Sequence, residues 1–458
     1  MAELTTRELF LGEGAAPGGG GPDHLHVNIG PAHPAMHGII RIFAELDGEI
    51  VVKSDVDIGY LHRAFEKDCE VGPYNNAIPY TDRLNYVSPL INNFGYASAV
   101  EKLLGIEITE RCMFIRVIMS EISRICDHLT CVGASTMELG AFTVFLYMIK
   151  AREFLWELVE EVTGARLTIS YGRVGGVKAD LPDGFDAKVR QAFIEVRDVL
   201  KEVHTLLTGN RIFMDRMVGV GVLSREDTIA WGITGPLLRA AGVPFDVRKA
   251  EVYWAYDRVD FEIPLGKNGD NFDRYLVRMA EMEQSMRIVE QALDRIPMGV
   301  VNVDAQGKPI DPATYVDKGK QGKTQGLLLV PITLSPNLQG QDRQSQQRVN
   351  VQDKRVVLPP KETTYGSIEG LMNHFMLVMD GYGIRPPAGE VYFPVEGANG
   401  ELGFYVVSDG TDRPYRVHCR PPCLPPVAAL PRMIDGAMVA DVIPTFGSVN
   451  MIGGELDR

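Results

Sequence analysis

The chain has no Cys-x-x-Cys pair anywhere and only six cysteines, Cys69, Cys112, Cys126, Cys131, Cys419 and Cys423, in 458 residues. So few, so widely spread, they exclude a disulfide-stapled scaffold and point to a reduced, cytosolic chain. Long apolar runs are missing too. Phe142 to Ile149, "FTVFLYMI", is among the longest and falls far short of the roughly 18 to 20 residues that cross a bilayer. The first residues, "MAELTTRELFLGEGAAPGGGGPD", lack the basic segment and apolar core of a secretory signal. Basic residues are outnumbered, 46 Lys and Arg against 60 Asp and Glu, a net charge of -14 that repels polyanions, so nucleic acid is not an expected partner. Internal repeats are absent.

What is present is a chain with 45% hydrophobic residues, enough for a large buried core or for several ordinary domains. Residues 1 to 24 are glycine-rich toward their end and read as a flexible segment. "HLHVNI", "IIRIFAELDGE" and "IVVKSDVDIG" then alternate as short strands, with Asp47-Gly48 as a hairpin turn. The period changes after residue 90: "NNFGYASAVEKLLG", "RCMFIRVIMSEISRICDHLTCVGAST", "AFTVFLYMIKAREFLWELVEEVTG", "DAKVRQAFIEVRDVLKEVHTLLTG" and "NFDRYLVRMAEMEQSMRIVEQALDRI" carry apolar residues at helical spacing. Such stripes are buried together by forming a bundle. The expected organisation is therefore α+β: a β region with a histidine loop at 25–90, a helical bundle at 91–300 with an inserted β and loop region at 213–266, a polar excursion at 301–360, and an α+β part at 361–458 completing the core. "SIEGLMNHFMLVMDG" is expected as a helix, "GEVYFPVEG" and "ELGFYVVSDG" as strands; the tail from Cys419 shows no clear period.

Five of the nine histidines lie between His24 and His62, and two of them, His33 and His37, sit in "GPAHPAMHG". No further His or Cys completes a zinc spacing nearby. Prolines stiffen this loop and Gly38 permits close backbone approach, so it reads as a rigid turn presenting a side chain to a ligand, with His37 as a donor or proton source near neutral pH. A histidine satisfied in the core is the open alternative. Tyr86 is one of sixteen tyrosines; its phenol can donate to a carbonyl or merely pack. Cys419 and Cys423 form no second pair, and "GRVGGV" is not a G-x-G-x-x-G motif in a strand-turn-helix unit, which argues against dinucleotide binding here.

Ten segments share one further property. "GPAHPAMHG", "IGYLHRAFEK", "AVEKLLG", "EISRICDHL", "GAFTVFLY", "GRVGGVKADLP", "LTGNRIF", "GITGPLLRAAGVPFDVRKA", "GELGFYVVSDGTDRPYRVHCRPP" and the ending "GGELDR" together resemble the D-subunit family of NADH-quinone oxidoreductases, the 49 kDa subunit of respiratory complex I. That family is itself similar to the large subunit of nickel-iron hydrogenases. The absence of Cys-x-x-Cys removes the thiolates that hold nickel and iron there, so hydrogenase chemistry is not implied and no metal is expected on this chain.

The resemblance implies a subunit that binds no cofactor alone. With the small iron-sulfur B subunit, which carries the [4Fe-4S] cluster N2, it would form the quinone site of a bacterial proton-translocating NADH:quinone oxidoreductase. It would lie on the cytoplasmic side of the cell (inner) membrane, with the B, C and I subunits and the membrane-embedded H subunit as partners. His37 and Tyr86 would hydrogen-bond the two quinone carbonyls, and Glu138, in "MELG" where the family usually has aspartate, would pair with His37. Arg83 would face cluster N2, and Thr168 stands where many members carry a histidine beside it. Two rivals stay open: a ferredoxin-fed complex of related build, and a structural paralogue without quinone chemistry.

Overall fold

The computed structural model describes residues 24–297 and 349–458, apart from 352, 360 and 380. The expected segment 1–24 therefore lies almost wholly outside the described residues, as does most of the polar stretch 301–360.

Three strands open the chain: β1 (Leu25–Ile29), β2 (Arg41–Asp47) and β3 (Ile50–Asp57), in an antiparallel sheet of that order. Alternation sets the faces, with Ile42, Ala44 and Leu46 buried on β2 and their neighbours partly exposed. Asp47 pairs with Ile50, so Gly48 and Glu49 form the turn, one position later than the sequence suggests. Gly48 supplies the positive φ, 61°, that such a turn requires. The expected β region does not extend to residue 90. From Phe65 the chain is helical, with α1 (Phe65–Val71) and a short turn of helix at Ile78–Thr81.

The bundle follows: α2 (Pro89–Leu104), α3 (Glu110–Glu138), α4 (Phe142–Thr163) and, after a two-residue-strand hairpin pairing β4 (Gly172–Arg173) with β5 (Gly176–Val177), α5 (Phe185–Val203). Helix α3 is the axis. Thr109 caps it, accepting from the Cys112 N–H, and α4 packs along one side while the later helices cover the others.

The region 213–266 holds no strands. It forms α6 (Arg211–Met217), α7 (Arg225–Ala230), α8 (Gly235–Ala240) and α9 (Val247–Ala250). Helices of four to seven residues complete barely one or two turns, too little for a 3.6-residue period to register, and their apolar positions pass for loop. Helix α10 (Asn271–Arg295) then returns along α3.

The remaining described part contains α11 (Lys361–Gly366), α12 (Ile368–Val378), an antiparallel sheet of β6 (Gly389–Glu396), β7 (Glu401–Ser408) and β8 (Arg416–Arg420), and four short helices, α13 (Leu424–Ala428), α14 (Leu430–Ile434), α15 (Val439–Val449) and α16 (Gly453–Asp457). The second sheet lies on α2, where Gly95 admits Phe404 and Val395 so closely that a Cβ would sit 3.0 Å from each.

Fully buried charges tie these layers together. Arg239 of α8 meets Glu281 of α10 at 2.6 Å and Glu396 of β6 at 2.8 Å, Arg248 bridges Asp246 at 2.6 Å and Glu121 of α3 at 3.1 Å, and His128 of α3 lies 2.9 Å from Glu281. Pairs so deeply desolvated add little net stability, but removing one partner strands the other, so the network fixes how α3, α8, α10 and β6 meet.

Candidate functional site

The histidine loop joins β1 to β2 and encloses a single 3-10 turn, Pro34–Met36. Its two histidines do different work. His33 is the N-cap: its Nδ1 accepts from the Ala35 N–H at 3.2 Å, with Pro34 in the first helical position. With Nδ1 accepting, the neutral ring carries its proton on Nε2. His37 closes the turn at φ 56° and ψ 14°, in the left-handed region. Ala35, Met36, Ile39 and Ile40 anchor the loop by packing into an apolar cluster, which leaves His37 on the outside. Its ring has no hydrogen-bond partner among the described residues. The residue is exposed, yet the protein packed around the ring lowers the imidazole pKa by desolvation.

Tyr86 lies in a turn built by Asn85, whose Oδ1 accepts from the N–H groups of Val87 at 3.1 Å and Ser88 at 3.3 Å. Asn92 in turn donates to the carbonyls of Asn85 at 3.0 Å and Thr81 at 3.1 Å. The phenol is half-buried against the same apolar cluster that anchors the histidine loop. Burial, then the charges of Asp127 and Cys423, raise its pKa. The hydroxyl keeps its proton and has no partner among the described residues.

The tail helix α16 is the wedge between these two pieces. A Cβ at Gly453 would stand 2.2 Å from Ile39 Cδ1, and one at Gly454 would stand 2.2 Å from the Arg83 carbonyl oxygen. Only glycine allows both approaches. Asp457 accepts from the N–H groups of Gly59 at 2.9 Å and Leu61 at 2.8 Å, while His62 Nδ1 donates to its carbonyl at 2.8 Å. Buried Glu455 accepts from the Cys423 N–H at 3.0 Å, and burial pushes its carboxyl up to about 8.

The segments that carry Arg83 and Thr168 are joined through Asp82. This buried carboxylate accepts from Ser170 N–H at 2.8 Å, Ser170 Oγ at 2.6 Å and Asn93 Nδ2 at 2.6 Å. It thereby pins the 168–170 loop to the segment carrying Arg83. Both side chains are exposed; Arg83 Nη1 donates to the Pro79 carbonyl at 2.6 Å, and Thr168 holds a φ of 51°, uncommon for a β-branched residue.

The expected ion pair between Glu138 and His37 is not formed. Glu138 ends α3 facing α15, where a Cβ on Gly447 would come within 2.0 Å of its Oε2. That oxygen is buried without a hydrogen bond, and desolvation pushes the carboxyl up to about 8. A group that is neutral at pH 7 is no anionic partner for an imidazole. The side chain meets α15 at Gly447. Two buried carboxylates that organise this region, Asp82 and Asp127, escaped sequence reasoning. The available signal was a charge set among apolar neighbours, as in "RICDHL".

Comparison with known proteins decides the family. Residues 138–326 and 338–458 match the family described as respiratory-chain NADH dehydrogenase, 49 Kd subunit. Over 432 residues, 94% of this chain, it is 50% identical to the NADH-quinone oxidoreductase D subunit of Myxococcus xanthus, covering 92% of that protein. The chain belongs to this 49 kDa family. Other relatives agree: the D subunit of Pelobacter propionicus is 45% identical over 95% of this chain and 96% of its own length. The fused C/D subunit of Bdellovibrio bacteriovorus is 46% identical over 95% of this chain and 69% of its own length. Among the described residues no helix is long and apolar enough to cross a membrane, and no group of three or more His, Cys, Asp or Glu side chains is arranged to hold a metal ion.

Proposed function

We propose that this chain is the quinone-binding subunit of a proton-translocating NADH-quinone oxidoreductase, with the quinone headgroup held between His37 and Tyr86. The observation that carries this reading is that Tyr86 and the loop that presents His37, two hydrogen-bond donors without partners among the described residues, are anchored on one apolar cluster with the tail wedged beside them. Reduction of a quinone takes two electrons and two protons and builds negative charge on both carbonyl oxygens. Donors fixed on opposite oxygens stabilise that charge, the more so in a site that excludes water. His37, kept neutral by desolvation, donates through one ring N–H; Tyr86, its pKa raised, donates through its hydroxyl.

In the assembled enzyme electrons reach the quinone from cluster N2 of the small iron-sulfur B subunit, and NADH is oxidised elsewhere in the complex. Arg83 and Thr168, pinned together by Asp82, form the side that faces the cluster. A fixed guanidinium there favours the reduced state. Thr168 cannot titrate, so it adds no pH dependence to the potential. Glu138, a neutral carboxyl turned toward α15, supplies no charge to His37. The chain is peripheral, on the cytoplasmic face of the membrane, against the B, C and I subunits and the membrane-embedded H subunit.

The test uses H37A and Y86F in the assembled complex. Each removes one donor and no core packing, so inhibitor-sensitive NADH-quinone reductase activity should fall about tenfold or more, the worth of one charge-stabilising hydrogen bond. NADH-ferricyanide activity, which bypasses the quinone, should survive. Unchanged quinone turnover in both variants defeats the proposal.

A further inference from the structure

The two proposed donors stand on different loops, so something must set the distance between them. Asp127 of α3 is fully buried and is held by hydrogen bonds from neutral side chains. Its Oδ2 accepts from Asn85 Nδ2 at 2.7 Å and from Ser88 Oγ at 2.8 Å, the two polar residues that bracket Tyr86. Its Oδ1 accepts from Asn450 Nδ2 at 2.8 Å. Asn450 ends α15 in the left-handed conformation, φ 57°, and also donates to Asn399 Oδ1 at 2.5 Å. Three residues on, Gly453 abuts Ile39, two positions from His37. One carboxylate therefore holds the Tyr86 turn with one oxygen, and with the other the chain that presses on the histidine loop.

We infer that Asp127 is a positioning residue that fixes the separation of His37 and Tyr86, acting on the quinone only through them. The inference rests on the quinone-site reading above. Chemistry supports a carboxylate at this point. All three of its partners are donors, and an ionised carboxylate is an acceptor at both oxygens, so no partner is left opposed to another donor. An amide in its place turns a donor toward one side of the clamp, and an alanine leaves Asn85, Ser88 and Asn450 with buried, unmatched donors. The rigid axis α3 gives the clamp a fixed base.

A double-mutant cycle between positions 127 and 86 in the assembled complex tests this, with a soluble short-chain quinone as substrate and ferricyanide as the control acceptor. D127A should lower quinone kcat by about tenfold to a hundredfold, as expected when a catalytic donor is displaced by roughly 1 Å, with ferricyanide reduction intact. D127N should lose less. In D127A/Y86F the combined loss should be smaller than the product of the two single losses, since the part of the Asp127 effect that runs through Tyr86 is already gone and only the part through His37 remains. Should D127A fail to assemble, S88A and D127N carry the same cycle. Losses that multiply in the double variant, or wild-type quinone turnover in D127A, overturn the inference. Wild-type turnover in Y86F alone marks the failure of the quinone-site reading itself, and the inference falls with it.

Discussion

Replacing Glu138 by glutamine isolates the consequence of a carboxyl buried without a partner. In the folded chain its pKa stands at about 8 against an ordinary 4.5. Between those values the folded state holds a proton that the unfolded state has released, so the folded state binds more protons and stability falls as pH rises through that window. At about 1.4 kcal/mol for each pH unit the upper bound is roughly 5 kcal/mol. Because Glu138 is only partly buried, solvent screening reduces this to about 2 kcal/mol. Glutamine keeps the shape and never ionises. E138Q should therefore match the wild type in thermal inactivation at pH 5 and outlast it at pH 9. Near neutral pH, where Glu138 is already uncharged, its quinone turnover should stay within about twofold of wild type, since a factor of two is only a few tenths of a kcal/mol. Inactivation midpoints of the purified complex from pH 5 to 9.5, with turnover measured alongside, decide the matter. Coincident stability profiles, or a collapse of E138Q turnover at neutral pH, would refute the reasoning and restore an anionic Glu138.

The other perturbations separate the two histidines and test the wedge. H33A removes an N-cap but no ligand donor, so it should cost about 0.5 to 2 kcal/mol of stability and leave the Michaelis constant for quinone unchanged, as read by thermal shift and steady-state kinetics. G453A forces a methyl group against Ile39, where a Cβ would lie 2.2 Å away. It should cost about 1 to 3 kcal/mol and lower quinone turnover while ferricyanide reduction persists; normal quinone kinetics would mean that the tail does not hold the histidine loop.

Much of this was legible in the chain. The alternation of β2 and the long apolar stripes of α3, α4, α5 and α10 announce themselves because each element is long enough to repeat its period. The helices of 213–266 and three of the four in the tail are too short to do so, and the fourth, α15, carries Pro444 inside its 11 residues. The cap that His33 forms was not read from the sequence, and nothing local distinguished Tyr86 from the other tyrosines. The turn that singles it out is made by Asn85 and by a carboxylate 42 residues away. Glu138 was placed by its motif alone, and its surroundings were not legible there: the carboxyl lies against Gly447, and burial keeps it neutral.

The most direct measurement is photolabelling of the assembled complex with a quinone bearing a photoreactive headgroup, followed by peptide mapping with and without a competing quinone-site inhibitor. The account predicts competed label on the peptides around His37 and Tyr86, diminished in Y86F. Label elsewhere on the chain, or label there that the inhibitor leaves in place, would contradict it.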